Sequence, residues 1–364
     1  MTAVLAEIRH NPVLWLLVFV PAVFAAESLM PESHTFRFVL AVLAIIPLAA
    51  LLSHATESVA AKTGDAVGGL LNATLGNLTE LVIALTALRV GQYMLVKASI
   101  AGAIVTNSLF MLGASFLLGG LKYHVQEFNR ASARLQAGLL FLATVALSIP
   151  SAISEADSAP LTAFAQDLSA ALSFLLITAY GLGLLFSLKT HREEFGGSAQ
   201  AEGDEAPWPL SVALTTLLGV TVLVALVSEV FVESVQGASL ALGMSPAFVG
   251  FIIVALVGAA AEMTSAFSGA RKDRLDLSVG IALGSAAQIA LFVAPVLVLV
   301  SYFIAPTPMT LQFWPGAIVM MLVATMTAFF VTSSGRSAWF VGVLVLIVYS
   351  TFAMTLYLLP PKTP

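Results

Sequence analysis

Apolar runs of about 20 residues recur from one end of the chain to the other, and they leave few architectures open. They lie at about residues 11–30, 36–54, 66–88, 94–121, 135–153, 161–188, 208–231, 246–270, 275–303, 311–332 and 337–359. In hydrocarbon every backbone N–H and C=O must be satisfied internally, so runs of this length read as helices. Alternation of the kind that builds outer-membrane barrels is absent. Composition agrees: 59% of the 364 residues are hydrophobic and 10% are charged, against about 25% charged in soluble domains. The expected fold is an all-α polytopic membrane protein of about 11 transmembrane helices. A leading helix, residues 1–30, precedes two five-helix units, residues 31–188 and 208–364, joined by a linker at 189–207. The first run resembles a signal peptide with Val23-Phe24-Ala25 as its cleavage site. Its only basic residue is Arg9 and another span follows at once, so it reads as a retained helix.

Residues 189–207 are the longest hydrophilic stretch and read as a flexible cytoplasmic linker. Lys and Arg number eleven on the side of the N-terminus and four on the other. The N-terminus is therefore expected in the cytoplasm and the C-terminus outside, with a bacterial inner (plasma) membrane as the expected location. There are no cysteines, which excludes disulfides and thiolate metal sites. No basic patch suggests nucleic acid. The lipid bilayer is the expected environment, no cofactor is expected, and a homo-oligomer stays open.

Within the third run, Gly76-Asn77-Leu78-Thr79-Glu80 places a carboxylate at bilayer depth. Such a charge costs about 2.5–3.5 kcal/mol on insertion scales, so it is expected to face a protein interior or an aqueous path. Gly258-Ala259-Ala260-Ala261-Glu262 repeats the G-x-x-x-E spacing. The offset of 182 residues that carries Glu80 to Glu262 also carries Gly76 to Gly258, Gly102 to Gly284 and Thr106 to Gln288. Five spans per copy is an odd number, so the copies are expected to insert with opposite polarity and share a midplane site, a recurring transporter design. Asn72, Gly76 and Asn77 share a helical face with Glu80; Gly258 and Ser265 share one with Glu262; Ser285 and Gln288 share a third. Carboxylates, amides, hydroxyls and carbonyls are all oxygen ligands suited to a hard cation. Glu80, Glu262, Asn77, Ser285 and Gln288 form the expected metal site, while Asn107 is assigned to packing. Two carboxylates meeting in a poorly hydrated place resist double ionisation. Metal and protons are then expected to compete for the same oxygens.

These stretches resemble the calcium/proton antiporter (CAX) family of the cation/calcium exchanger superfamily. The resemblance is densest between Ala55 and Leu121, through Thr63-Gly64-Asp65, Gly68-Gly69-Leu70-Leu71-Asn72-Ala73-Thr74 and Gly76-Asn77-Leu78-Thr79-Glu80-Leu81. It resumes between Ser245 and Pro295 with Gly284-Ser285-Ala286-Ala287-Gln288, and Ser337-Ala338-Trp339-Phe340-Val341-Gly342 is a weaker echo. The resemblance implies eleven helices with inverted five-helix repeats, cation binding by Glu80 and Glu262, and Ca2+ and H+ as the exchanged ions. Asn77, Ser285 and Gln288 match polar positions of the family's core helices. Glu57 matches an acidic position near the cytoplasmic entrance, and Glu229 its second-repeat partner, on an entrance or proton pathway. The family's second repeat reads G-N-x-x-E-H; here Ala259 and Met263 replace the Asn and the His. One oxygen ligand and one titratable neighbour are absent, which leaves cation selectivity and stoichiometry open.

The rival readings are a sodium-coupled cation exchanger, an intramembrane enzyme and a passive channel. H-E-x-x-H, G-x-S-x-G and Walker A sequences are absent, and no histidine lies beside either glutamate in the sequence. The polar residues cluster at one depth, whereas a channel calls for a continuous polar file. Sodium and proton coupling use similar oxygens, and the sequence separates them poorly.

Overall fold

The computed structural model describes residues 7–9, 11–63, 65–152, 159–190 and 207–361; most of the expected linker, residues 191–206, lies outside the described residues. The chain opens with a 3-10 turn, Pro12–Val18, leading into α1 (Phe19–Leu29). There follow α2 (His34–Lys62), α3 (Asp65–Leu75), α4 (Leu78–Arg89), α5 (Tyr93–Tyr123), β1 (Val125–Glu127), α6 (Arg130–Ala152) and α7 (Ala159–Leu185). The remainder holds α8 (Leu210–Leu242), α9 (Pro246–Gly258), α10 (Ala260–Arg271), α11 (Leu275–Ile304), α12 (Pro315–Thr332), β2 (Arg336–Ala338) and α13 (Trp339–Leu358).

Among the described residues, nine helices are long and apolar enough to cross a membrane, and α9 with α10, bent by 58° at Ala259, makes a tenth. The run expected as a third span is two short helices, α3 and α4, on either side of Gly76-Asn77. Glycine and asparagine favour a break, and the break explains why a continuous helix across residues 66–88 does not form. Helices α2 and α8 also run further than expected, to Lys62 and Leu242, and α2 continues through Pro47. Pro47 is fully packed there, with buried neighbours Ala44 and Leu48. Glu57 and Glu229, expected near helix ends, are therefore both inside helices.

Bounds of corresponding helices keep one spacing. Helices α4 and α10 begin at Leu78 and Ala260 and end at Arg89 and Arg271, and α5 and α11 begin at Tyr93 and Leu275, each pair 182 residues apart. Wide π-helical turns interrupt α5 at Thr106–Met111 and α11 at Ile289–Val293, while α9 has one at Val249–Val254. Such turns re-aim the residues around them and are frequent at functional sites.

The most buried spanning helix is α5. It crosses α9 at very short range because glycines meet backbone on both sides. A β-carbon on Gly102 would fall 2.1 Å from the Phe251 carbonyl oxygen, and one on Gly250 would fall 2.7 Å from the Leu95 carbonyl oxygen. Small residues at such crossings are how membrane helices approach without a hydrophobic force between them. Helices α2 and α8 form the most extensive pair, with Phe38 stacked on Phe231 at 5.3 Å and buried Arg37 bound to Glu233 at 3.1 Å.

At one end of the bundle β1 pairs antiparallel with β2, Gln126 opposite Ser337. Gln126 donates to the Ala270 carbonyl at 3.0 Å and to Asp273 at 2.8 Å, and Lys122 and Tyr123 donate to the Arg271 carbonyl. The C-terminal end of α10 is thereby clamped to α5 and its following strand.

The crossing at Gly102 yields a stability prediction. Gly102→Ala forces backbone apart and should lower the thermal unfolding midpoint in detergent by the equivalent of about 1–3 kcal/mol. Gly138→Ala on α6, where no atom lies within 4 Å of the added carbon, should hold or slightly raise that midpoint.

Candidate functional site

Both expected glutamates stand in the first turn of a helix that starts at a break. Glu80 is in the first turn of α4 and Glu262 in the first turn of α10. Neither Asn77 nor Ala259, the residues at the two N-caps, makes a side-chain cap. The free N–H groups and positive dipole end of each helix favour a carboxylate placed there. A broken helix thus makes an acidic side chain tolerable at apolar depth, and the preceding half-helix brings its carbonyl-bearing end to the same place.

The two breaks face each other across the halves. A β-carbon on Gly258 would lie 2.7 Å from Glu80 Cγ and 3.0 Å from its Cδ and Oε1. A β-carbon on Gly76 would lie 3.4 Å from Gln288 Oε1. Each glycine therefore accepts a polar side chain from the other half of the chain. Glu262 is within electrostatic reach of Glu80 and of Glu57, and lies beside Ser285.

Hydrogen bonds tie three further elements into the cluster. Asn107 Nδ2 on α5 donates to Ser285 Oγ on α11 at 2.9 Å, and Ser285 Oγ donates to Asn77 Oδ1 at 2.8 Å. Thr106, beside Asn107, shares a buried hydrogen bond of 3.3 Å with the Tyr349 hydroxyl on α13. Four buried polar atoms here have no hydrogen-bond partner among the described residues: Asn77 Nδ2, Asn107 Oδ1, Glu262 Oε2 and Gln288 Nε2. Buried polar atoms are nearly always paired, so these four are donors and acceptors available to water or to a ligand.

The structure therefore brings Glu80, Glu262, Asn77, Ser285 and Gln288 together, and adds Asn107. Asn107 lies next to Thr106, which aligns with Gln288, and that adjacency was the available signal; which hydroxyl its amide reaches depends on packing between distant spans. Asn72 and Ser265, expected on the glutamate faces, are exposed. Glu57 lies on α2, exposed and accepting from Ser53 Oγ at 3.2 Å. Glu229 lies on α8 and pairs with Arg89 at 3.3 Å. Neither belongs to the central cluster. Among the described residues no group of three or more His, Asp or Glu side chains could hold a metal. Any cation held here relies on two carboxylates supplemented by amide and hydroxyl oxygens, a hard-ligand set.

Comparison with known proteins agrees with this architecture. The sequence matches the family described as sodium/calcium exchanger protein over residues 33–189 and 212–358. A Ca2+/H+ antiporter of Aphanothece halophytica is 40% identical over 359 residues, covering 95% of this chain and 96% of that protein. The Ca2+/H+ antiporter ChaA of Bacillus subtilis (strain 168) is 41% identical over 336 residues, covering 91% and 95%. The solved structure of native YfkE superposes with a TM-score of 0.83 at 37% identity, covering 96% of this chain and 100% of that one. The H+/Ca2+ exchanger CAX shares the fold, with a TM-score of 0.71 at 16% identity over 97% of this chain and 88% of that one. With both halves matched and its apolar helices in place, the chain belongs to the sodium/calcium exchanger protein family and is an integral-membrane transporter, not an enzyme.

Proposed function

We propose that the protein exchanges Ca2+ for H+ across a bacterial plasma membrane, by alternating access to a site formed by Glu80 and Glu262. The single observation that carries this reading is the contact of Glu80 with Gly258, which puts the carboxylate of one half against the break that precedes Glu262 in the other. The relatives named as Ca2+/H+ antiporters, about as long as this chain, support the choice of ions. Asn77, Ser285 and Gln288 supply further oxygens, with Asn107 fixing Ser285. Two carboxylates side by side at apolar depth repel each other. One Ca2+ neutralises both, and so do protons, so occupation by one excludes the other and couples their movement without ATP.

The architecture in this reading is a leading helix and two inverted five-helix repeats, residues 31–188 and 208–364, eleven crossings with the N-terminus cytoplasmic and the C-terminus outside. The 182-residue spacing of α4 with α10 and of α5 with α11 supports the repeat. Alternation draws support from a difference between counterparts. Helix α9 is pressed on α5 through Gly102 and Gly250, whereas α3 leans on α2, Gly68 meeting the Ala60 backbone, with Val67, Leu70 and Asn72 exposed. Corresponding helices held differently are what a transporter open to one side requires. Glu57 on α2 lies on the cytoplasmic approach. Glu229, tied to Arg89, lies on the external one.

Sodium coupling is the second reading, favoured by the description of the family itself. In everted vesicles an imposed pH gradient should drive 45Ca2+ uptake that a protonophore abolishes; uptake that follows a sodium gradient instead would select the second reading. Glu80→Gln and Glu262→Gln should each abolish uptake at unchanged expression and unfolding midpoint. Loss of folding rather than transport would make the glutamates structural. Gly258→Ala should fold, because its added carbon meets a movable side chain, and should cut uptake by about ten-fold or more through displacement of Glu80.

A further inference from the structure

Helix α13 buries four residues, Gly342, Val345, Tyr349 and Leu356, and of these only Tyr349 carries a polar side chain. Much of the rest of the helix faces outward, with Phe340, Leu344, Ile347 and Met354 exposed. The buried stripe lies against α5. A β-carbon on Gly342 would fall 2.5 Å from the Gly113 carbonyl oxygen, and one on Gly113 would fall 3.0 Å from Val345 Cγ1. Spacings of three and four residues keep Gly342, Val345 and Tyr349 on one helical face. The tight contact at Gly342 therefore fixes where Tyr349 meets α5.

It meets the π-helical turn, Thr106–Met111. The Tyr349 ring is tilted against that of Phe110 with centroids 5.2 Å apart, and its hydroxyl shares the 3.3 Å hydrogen bond with Thr106 Oγ1. Tyr349 thus holds the turn at two points. Between them stands buried Asn107, whose Nδ2 donates to Ser285 Oγ, and Ser285 Oγ donates to Asn77 Oδ1. A π-helical turn is a rare geometry, so contacts from outside matter to where its side chains point. The 182-residue offset carries Phe110 to Phe292, in the π-helical turn of α11, and Phe292 lies against Tyr180 of α7 at 5.4 Å. Each turn is braced by a tyrosine from the last helix of the other half. The offset also carries Thr106 to Gln288, so the Tyr349 hydroxyl engages the first-half counterpart of a site amide.

We propose that Tyr349 is a positioning residue for the exchange reaction: through Thr106 and Phe110 it sets the direction of Asn107, and so fixes the Asn107–Ser285–Asn77 chain that borders the cation. The inference rests on the Ca2+-binding reading of this cluster. Carboxylates answer to either ion, whereas amide and hydroxyl oxygens serve a cation that takes about six to eight ligands. Loosening the chain therefore weakens Ca2+ binding and leaves turnover nearly intact.

The test is 45Ca2+/Ca2+ self-exchange in proteoliposomes at fixed pH, with half-saturating Ca2+ and maximal rate read separately. Tyr349→Phe removes the hydroxyl and keeps the ring against Phe110; Thr106→Val removes the other end of the same bond. Each should raise half-saturating Ca2+ by about five-fold, the equivalent of one net hydrogen bond, with the maximal rate and the unfolding midpoint little changed. The double variant should be no worse than either single, because both remove one interaction. Unchanged half-saturating Ca2+ in Tyr349→Phe, with or without a lower unfolding midpoint, would make Tyr349 a packing residue. A double variant whose effect is the product of the two singles would make the hydroxyls independent. Either result overturns the proposal. Wild-type protein without saturable Ca2+ exchange would overturn the Ca2+-binding reading itself, and this inference with it.

Discussion

Glu80 occupies the space that a side chain on Gly258 would fill, and most of the site depends on that substitution of one half's carboxylate for the other half's missing β-carbon. The contact requires the helix to break at Gly76-Asn77, so that Glu80 stands at a helix N-terminus. It requires a second break at Ala259, so that backbone is laid open on the facing side. It also requires helices to approach closely enough for glycine to meet backbone, as α5 and α9 do at Gly102 and Gly250. A continuous helix at either break would leave a charged group in hydrocarbon without a compensating dipole.

The two halves do not contribute equally. Asn77 stands at the first break with its Oδ1 held by Ser285, whereas the corresponding Ala259 is fully buried and apolar, as is neighbouring Met263. The amide oxygens of the cluster come from α5, α11 and the first break. A site asymmetric in this way presents its polar wall on one side and an apolar wall on the other. Gln126 and Lys122 clamp the C-terminal end of α10, the end away from Glu262, while α3, before the first break, carries the exposed residues Val67, Leu70 and Asn72.

Much of this was legible in the residues. A carboxylate inside an apolar run is conspicuous because its cost is large, and the 182-residue offset follows from counting. Glu80 and Glu262 could be named from their cost and spacing, and Asn77, Ser285 and Gln288 from helical spacing together with the family resemblance; helical spacing also put Asn72 and Ser265 on the glutamate faces, and both are exposed. The breaks were harder to see: glycine and small residues are common in membrane helices, and only the Asn77 that follows sets Gly76, where the helix stops, apart from Gly102, where it continues. The full reach of α2 was hidden by Thr56, Glu57 and Ser58, polar residues that end an apolar run without ending the helix, which continues to Lys62. Asn107 was not legible as part of the cluster, because its significance lies in a partner far away in sequence, Ser285, and only packing decides that pairing.

Competition between metal and protons for one pair of carboxylates can be measured without transport. Calorimetric titration of the detergent-solubilised protein with Ca2+, repeated in buffers of different ionisation enthalpy, gives the number of protons released per ion bound. The account predicts release of at least one proton per Ca2+ under mildly acidic conditions, and no such release when Glu80 and Glu262 are both replaced by glutamine. Tight Ca2+ binding with no proton release under any condition, or release that persists in the double variant, would contradict it.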